Sequence, residues 1–308
     1  MKRIVLIVVV AWLAHARDAR AFCSITQVNP VSFGTYDVFS SGSTVIAPIT
    51  IVVTCDGSYS AYLDISLGSA STSFAARQLV QTGQPDLAYA FYLDAAHTTL
   101  WGDGTGGSSK YAWTTAKNTT YNITVYGVIA AGQDVAVGSY AEPTSLQIAL
   151  TDKNHTYQTV ALAVGATVAQ RCTITTGSLA FGAYDPVTAN AATGADLLAT
   201  GSSAVSVQCT RGTSPAPTIS LGAGLYPSSS FNRRMASGSN RLAYQIYTSS
   251  ARTTVWGDGT AGTSTQSVAT PVSSMLTTQA FTAYGKIAKG QDVAVGAYTD
   301  TVTATVNF

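Results

Sequence analysis

The sequence predicts an all-β chain built as two tandem β-sandwiches, on three observations. Apolar residues recur with a period of two in short runs rich in Thr, Val, Tyr and Ile. Gly, Ser, Asn and Asp separate those runs, and no long amphipathic helix interrupts them. The same landmarks also occur twice in the same order, which marks an internal duplication.

The N-terminus comes first. Met1-Lys2-Arg3 is a short basic stretch, followed by an apolar run from Ile4 to Ala14 that is too short to span a bilayer. Ala19-Arg20-Ala21 has the A-x-A form that signal peptidase cleaves, with Ala14-His15-Ala16 as a second possible site. Residues 1–21 are therefore read as a secretory signal peptide, and no later stretch is long and apolar enough for a membrane helix.

The duplicated units follow as an N-terminal domain over 22–156, a connecting segment over 157–170 and a C-terminal domain over 171–308. The first unit carries Cys23-Ser24-Ile25, Phe33-Gly34-Thr35-Tyr36-Asp37, Cys55 and Trp101-Gly102-Asp103-Gly104-Thr105. It continues with Tyr126-Gly127, Gly132-Gln133-Asp134-Val135 and Tyr140. The second answers with Cys172-Thr173-Ile174, Phe181-Gly182-Ala183-Tyr184-Asp185, Cys209 and Trp256-Gly257-Asp258-Gly259-Thr260. Tyr284-Gly285, Gly290-Gln291-Asp292-Val293 and Tyr298 complete the set. Runs such as 49–54, 62–67 and 88–93 alternate and supply the strands.

Four cysteines in an exported chain favour disulfides, and of three possible pairings the repeat makes Cys23 with Cys55 and Cys172 with Cys209 the simplest. Charged residues are 10% of the chain, against about 25% in ordinary globular proteins. That scarcity suits a subunit whose surface is covered by neighbours. A net charge of +1 with no Lys/Arg cluster removes the basis for binding nucleic acid.

In the connecting segment, Val160, Leu162, Val164, Ala166 and Val168 fall on one face if the chain is extended. It is too apolar for a free linker, so it should lie in a groove or a sheet. Cleavage after Ala21 would leave no equivalent strand ahead of Cys23. The chain ends on Val302-Thr303-Ala304-Thr305-Val306-Asn307-Phe308, again alternating.

With paired cysteines, Phe-Gly-x-Tyr-Asp stretches, Trp-Gly-Asp-Gly-Thr turns, Tyr-Gly strands and this ending, the chain resembles two tandem copies of the spore coat protein U domain. That is the domain of subunits of archaic, Csu-type chaperone–usher pili, here with the likeness of a tip adhesin. The resemblance implies immunoglobulin-like pilin sandwiches, each lacking one strand that a neighbour donates by β-augmentation. Residues 157–168 would then fill the groove of the first domain from within the chain. The second domain would stay open, to be capped by a periplasmic chaperone, delivered to an outer-membrane usher and filled by the next pilin subunit. Val302, Ala304, Val306 and Phe308 would form its assembly strand. Such a chain accepts a strand and donates none onward, which implies a pilus-tip position on the cell surface, adhesion and biofilm formation. A non-adhesive adaptor and a sugar-binding lectin tip, using Trp101, Trp113 and Tyr111, are the alternatives.

Where the duplicates differ, the first domain is more apolar. It has Val38 and Phe39 in place of Pro186 and Val187, and Val128 and Ile129 ahead of Ala130-Ala131 where the second has Lys286-Ile287-Ala288-Lys289. Tyr111 and Trp113 follow its Trp-Gly-Asp-Gly turn, where the second domain has small polar residues. These six residues are the candidate adhesive loops, expected to lie exposed against a host or abiotic surface.

Enzyme chemistry finds little support. His97 and His155 are the only histidines beyond the leader, Glu142 is the sole Glu, and no Gly-x-Ser-x-Gly elbow occurs. The Asp-Gly-Thr-Gly runs match neither an EF-hand nor a P-loop and read as hairpin turns. No cofactor or metal is expected. Sequons at Asn118, Asn122 and Asn154 are incidental in a bacterial periplasm.

Overall fold

The computed structural model describes residues 23–46, 48–56, 62–68, 73–152 and 155–308. The leader reading over 1–21 and the sequon at Asn154 lie outside the described residues. Among the described residues every regular element is a strand or an isolated bridge.

The first domain begins with β1 (Cys23–Gln27), β2 (Val31–Tyr36), β3 (Thr44–Val45), β4 (Ile49–Cys55) and β5 (Tyr62–Leu67). It continues with β6 (Arg77–Leu79), β7 (Leu87–Tyr92), β8 (Tyr111–Thr114) and β9 (Thr119–Ile129). β10 (Gly138–Ala141), β11 (Leu146–Thr151), β12 (Thr156–Leu162) and β13 (Val164–Val168) complete it. One sheet runs β1-β4-β9-β7-β6, with β3 against the end of β9. The other wall is two sheets, β12-β11-β5-β8 and β10-β13-β2. Alternate residues of each strand meet in one core, including Ile51, Val53, Ile65, Leu67, Phe91, Val125, Ile148 and Leu150.

The second domain contains β14 (Cys172–Thr176), β15 (Leu197–Cys209), β16 (Thr218–Leu221), β17 (Arg234–Ser237) and β18 (Asn240–Ala243). β19 (Gln245–Tyr247), β20 (Gln266–Ser267), β21 (Gln279–Ile287) and β22 (Ala304–Asn307) follow. Its sheets run β14-β15-β21-β19 and β20-β16-β22, with β17-β18 as a hairpin.

The repeated motifs have physical reasons. Cys23 faces Cys55 across β1 and β4, and Cys172 faces Cys209 across β14 and β15, each pair forming a disulfide. Trp101 and Trp256 are fully buried, each donating its indole N–H to a main-chain oxygen, Ile65 at 3.2 Å and Ile219 at 2.9 Å. In the turn after each Trp, Asp103 accepts from the Thr105 N–H (2.8 Å) and Asp258 from the Thr260 N–H (2.8 Å). Gly127 and Gly285 are required by a close approach. A Cβ would stand 3.0 Å from Phe33 Cζ in one case and 2.6 Å from Phe181 Cζ in the other.

Tyr36 and Gln133 tie the ends of the first sandwich. The Tyr36 hydroxyl donates to Ala130 O and accepts the Gln133 N–H, while the Gln133 side chain bridges the main chain of Ala88. Tyr184, Gln291 and Ala243 repeat this arrangement in the second domain.

Candidate functional site

The region of interest is the place where the two sandwiches differ although their sequences correspond. In the first domain β13 lies between β2 and β10, parallel to β2 (Val164 with Val31, Val168 with Tyr36) and antiparallel to β10 (Gly138 with Val168). Ala163 alone separates it from β12, which pairs along β11 from Leu146–Leu162 to Thr151–Thr156. The segment 156–168 therefore covers the edges of three strands, β11, β2 and β10. Leu162, Val164, Ala166 and Val168 are buried in the first core, and Val160 packs half-buried against it. Burying a Val or Leu side chain contributes about 1.5–3 kcal/mol, so Leu162, Val164 and Val168 alone are a substantial share of a domain's stability.

By the motif alignment, β2 corresponds to residues 179–184 and β10 to 296–299. Neither is a strand in the second domain. Between them lie two adjoining cavities of about 410 and 800 Å3, which share Leu179, Phe181, Met235 and Tyr298 in their walls. Phe33, Tyr36, Val135 and Tyr140 are buried, whereas their counterparts Phe181, Tyr184, Val293 and Tyr298 are only half-buried. β22 pairs with β16 and, among the described residues, has no strand on its other side where β11 has β12. Hence Leu150 is fully buried, but its counterpart Phe308 is 65% exposed.

The C-terminal strand is shorter than its alternation predicts. It starts at Ala304, leaving Val302 half-buried ahead of it. Val302 and Ala304 line the smaller cavity, and Val306 packs against the second core.

A carboxylate, a tyrosine and an arginine stand at this wall in both domains, a set that the sequence reading missed. In the first, the Tyr89 hydroxyl bonds Glu142, and fully buried Arg77 donates to Gly68 O at 2.7 Å. In the second, Tyr244 bonds Asp300 at 2.7 Å, and Arg233 donates to Gly222 O (2.6 Å) and Trp256 O (2.8 Å). Burial raises the Glu142 carboxyl above its ordinary range despite opposing help from Tyr89 and Arg77. Burial likewise raises both phenols, reinforced by the adjacent carboxylates. The signal available in sequence was the repeat itself, since Arg77 and Arg233 hold matching positions.

The six candidate adhesive residues do not form one exposed patch. Val38 (3% exposed) and Ile129 (fully buried) belong to the core, and Phe39 packs on it. Val128 is half-buried within β9, where it faces Ala90 and Val45. The expectation of exposed loops is corrected for these four: they cover the core at the end where β2 and β13 run toward the second domain. Apolar residues after Tyr-Asp and at the end of a strand are needed there to seal the sandwich. Tyr111 and Trp113 lie on edge strand β8, half-buried, with Trp113 against Tyr121. Trp101, named for the lectin alternative, is fully buried with its N–H engaged and has no face for a sugar.

The comparisons join this geometry to known proteins. The family model described as Spore Coat Protein U domain matches twice, over residues 11–145 and 158–305. The chain belongs to this family. Protein U of Myxococcus xanthus is 40% identical over 141 residues, 43% of this chain and 72% of that protein. The tandem Spore Coat Protein U domains also share their fold with a solved chain from the CsuC-CsuE chaperone-tip adhesion subunit pre-assembly complex of archaic Csu pili from Acinetobacter baumannii. That match has TM-score 0.55 and 20% identity, and covers 93% of this chain and all of the other. The resemblance read from the motifs, and the all-β tandem fold, hold.

Proposed function

We propose that this protein is the tip subunit of a chaperone–usher surface pilus. Its first domain is completed by its own segment 157–168, and its second is an open acceptor. The observation that carries this reading is the contrast between matched segments: 164–168 occupies the space between β2 and β10, while 179–184 and 296–299 flank cavities. The exposed edge would be capped by a periplasmic chaperone, passed to an outer-membrane usher and filled by a strand of the next subunit. The likeness to a chain captured with a chaperone in a pre-assembly complex supports the same partner here.

The first domain is then outermost, attaching to a host or abiotic surface and promoting biofilm formation. The directions of the strands favour the end away from the second domain, toward which β8 carries Trp113. A non-adhesive adaptor is the second reading, favoured by the burial of Val38 and Ile129.

The test is complementation. A synthetic peptide of residues 156–168, added to the purified mature chain, is expected to raise the melting point of the second domain and to slow amide exchange at 179–184 and 296–299. A peptide carrying Val164→Asp should do neither. No protection with either peptide overturns the acceptor reading. Immunogold against the first domain should mark fibre ends alone, and loss of fibres without loss of attachment would favour the adaptor.

A further inference from the structure

The junction between the two domains is built on residues of the repeat, and half of that junction recurs, unmatched, at the far end of the second domain. Asp134, in the Gly-Gln-Asp-Val turn, accepts from Arg211 Nη2 (2.5 Å) and Nε (3.3 Å) and from the Met275 N–H (2.9 Å). Val137 N–H donates to Arg211 O at 3.0 Å, and Met275 packs into the first domain's core. Asp37, in the Phe-Gly-x-Tyr-Asp stretch, pairs with Arg171. Burial works against ionising Asp134, but the bonds from Arg211, Met275 and Ser274 outweigh it and hold the carboxyl below its usual range.

In the second domain the counterparts of Asp134 and Asp37 are Asp292 and Asp185. Asp292 is exposed and forms no ion pair among the described residues. Val295, matching Val137, is fully exposed, and Val187 beside Asp185 is 81% exposed. The nearby cations are occupied elsewhere: Lys286 pairs with Asp196 at 2.9 Å, and Lys289 Nζ donates to Gly194 O at 2.9 Å. Asp185 holds Thr188 in the position where Asp37 holds Arg171.

We propose that this face, at the mouth of the larger cavity, whose walls include Val187 and Val295, is a second docking element beside the strand-binding part of the groove, for a protein subunit that repeats the chemistry of this chain's own second domain. That partner carries an Arg two residues after its second cysteine, as Arg211 follows Cys209, and an Arg immediately before its first, as Arg171 precedes Cys172. The first Arg clamps Asp292 and the second reaches Asp185, while an apolar turn residue in the place of Met275 covers Val295. The inference rests on the acceptor reading, because the donated strand must lead out of the groove toward this face as β13 leads to Arg171. Charge complementarity and the built internal junction supply the rest.

The experiment extends the full chain. A second copy of residues 151–308 is appended after Phe308, restoring the turn that joins β11 to β12 in the first domain and offering a real donor strand and partner. Amide exchange is then read at two places. Protection at 179–184 reports the groove, and protection at 292–295, ahead of the groove wall at 296–299, reports the junction. Asp292→Asn, or Arg211→Gln in the appended copy, is expected to speed exchange at 292–295 by about two- to five-fold, the range of a partly exposed pair. The double variant should go no further. Asp292→Arg should loosen the junction, and Arg211→Asp in the appended copy should restore it, with 179–184 protected throughout. Protection at 179–184 with no effect of the charge changes, or additive effects without rescue, overturns the junction alone. No protection at 179–184 overturns the acceptor reading and the junction with it.

Discussion

Leu162→Ala is the sharpest perturbation of the first domain that leaves the second untouched. Leu162 ends β12 opposite Leu146 and is 1% exposed. Truncation removes three carbons at about 0.8 kcal/mol each, and the cavity left behind brings the loss to roughly 3–4 kcal/mol. For a domain of this size each kcal/mol lowers the midpoint by about 3 °C, so the first domain's transition should fall by roughly 10 °C. The partner measurement is Val306→Ala, at the position matching Ile148. Val306 is half-buried on an edge strand, and its loss should cost about 1 kcal/mol in the free chain. Calorimetry with exchange mass spectrometry assigns each transition to a domain. Filling the second domain's groove with the 156–168 peptide should deepen the cost of Val306→Ala toward that of a core truncation. Equal costs at Leu162 and Val306 in the free chain would refute the claim that one groove is filled and the other empty.

Other outcomes follow from the same packing. Removing Cys23–Cys55 or Cys172–Cys209 by paired Ser substitution frees chain separations of 32 and 37 residues, which should cost about 3.5–4 kcal/mol each in denaturant titrations. Arg233→Met strands the main-chain oxygens of Gly222 and Trp256, and should destabilise the second domain by roughly 3–5 kcal/mol in the same assay. The Glu142 carboxyl is raised in the folded state, so its favourable contribution is full below its unfolded value and fades as pH rises through the folded one. The stability difference between Glu142→Gln and the native chain should therefore grow in the variant's favour from acid to neutral pH. A difference that stays flat with pH would assign the raised carboxyl no role in stability.

Much of the fold was legible because its causes are local or repeated. Period-two runs such as Ile49–Cys55 alternate between core and surface in the sandwich, and the landmarks shared by the halves turn out to be the groups that tie it: Trp101 and Trp256, Gly127 and Gly285, Gln133 and Gln291. What failed depends on tertiary position. Val38 and Ile129 are apolar on either reading, and only the path of β13 toward the second domain decides that they seal a core. Arg77 and Arg233 were missed because nothing in their sequence neighbourhoods announces the main-chain oxygens that receive them. Asp134 was invisible as a junction residue for a different reason. The same motif at Asp292 has no ion-pair partner among the described residues.

The empty groove is not a collapsed one, and the reason bears on how a strand could enter it. Residues 179–184 lack a pairing strand, yet side chains hold their path: Phe181 lies over Gly285, and the Tyr184 hydroxyl bonds Ala288 O at 3.1 Å and accepts the Gln291 N–H at 2.9 Å. Gly182 takes the same left-handed conformation as Gly34, with φ of +81° and +68°. The wall is thus set by side-chain contacts within the second domain, and among the described residues no strand pairs with 179–184. An incoming strand would order itself but would not have to order the wall, which lowers the entropic cost of insertion. Phe181→Ala should then weaken capture of the 156–168 peptide chiefly by slowing association, because the wall must first be reassembled. If the variant bound at the native rate and only released faster, Phe181 would be a simple contact and the groove would owe its shape to the guest.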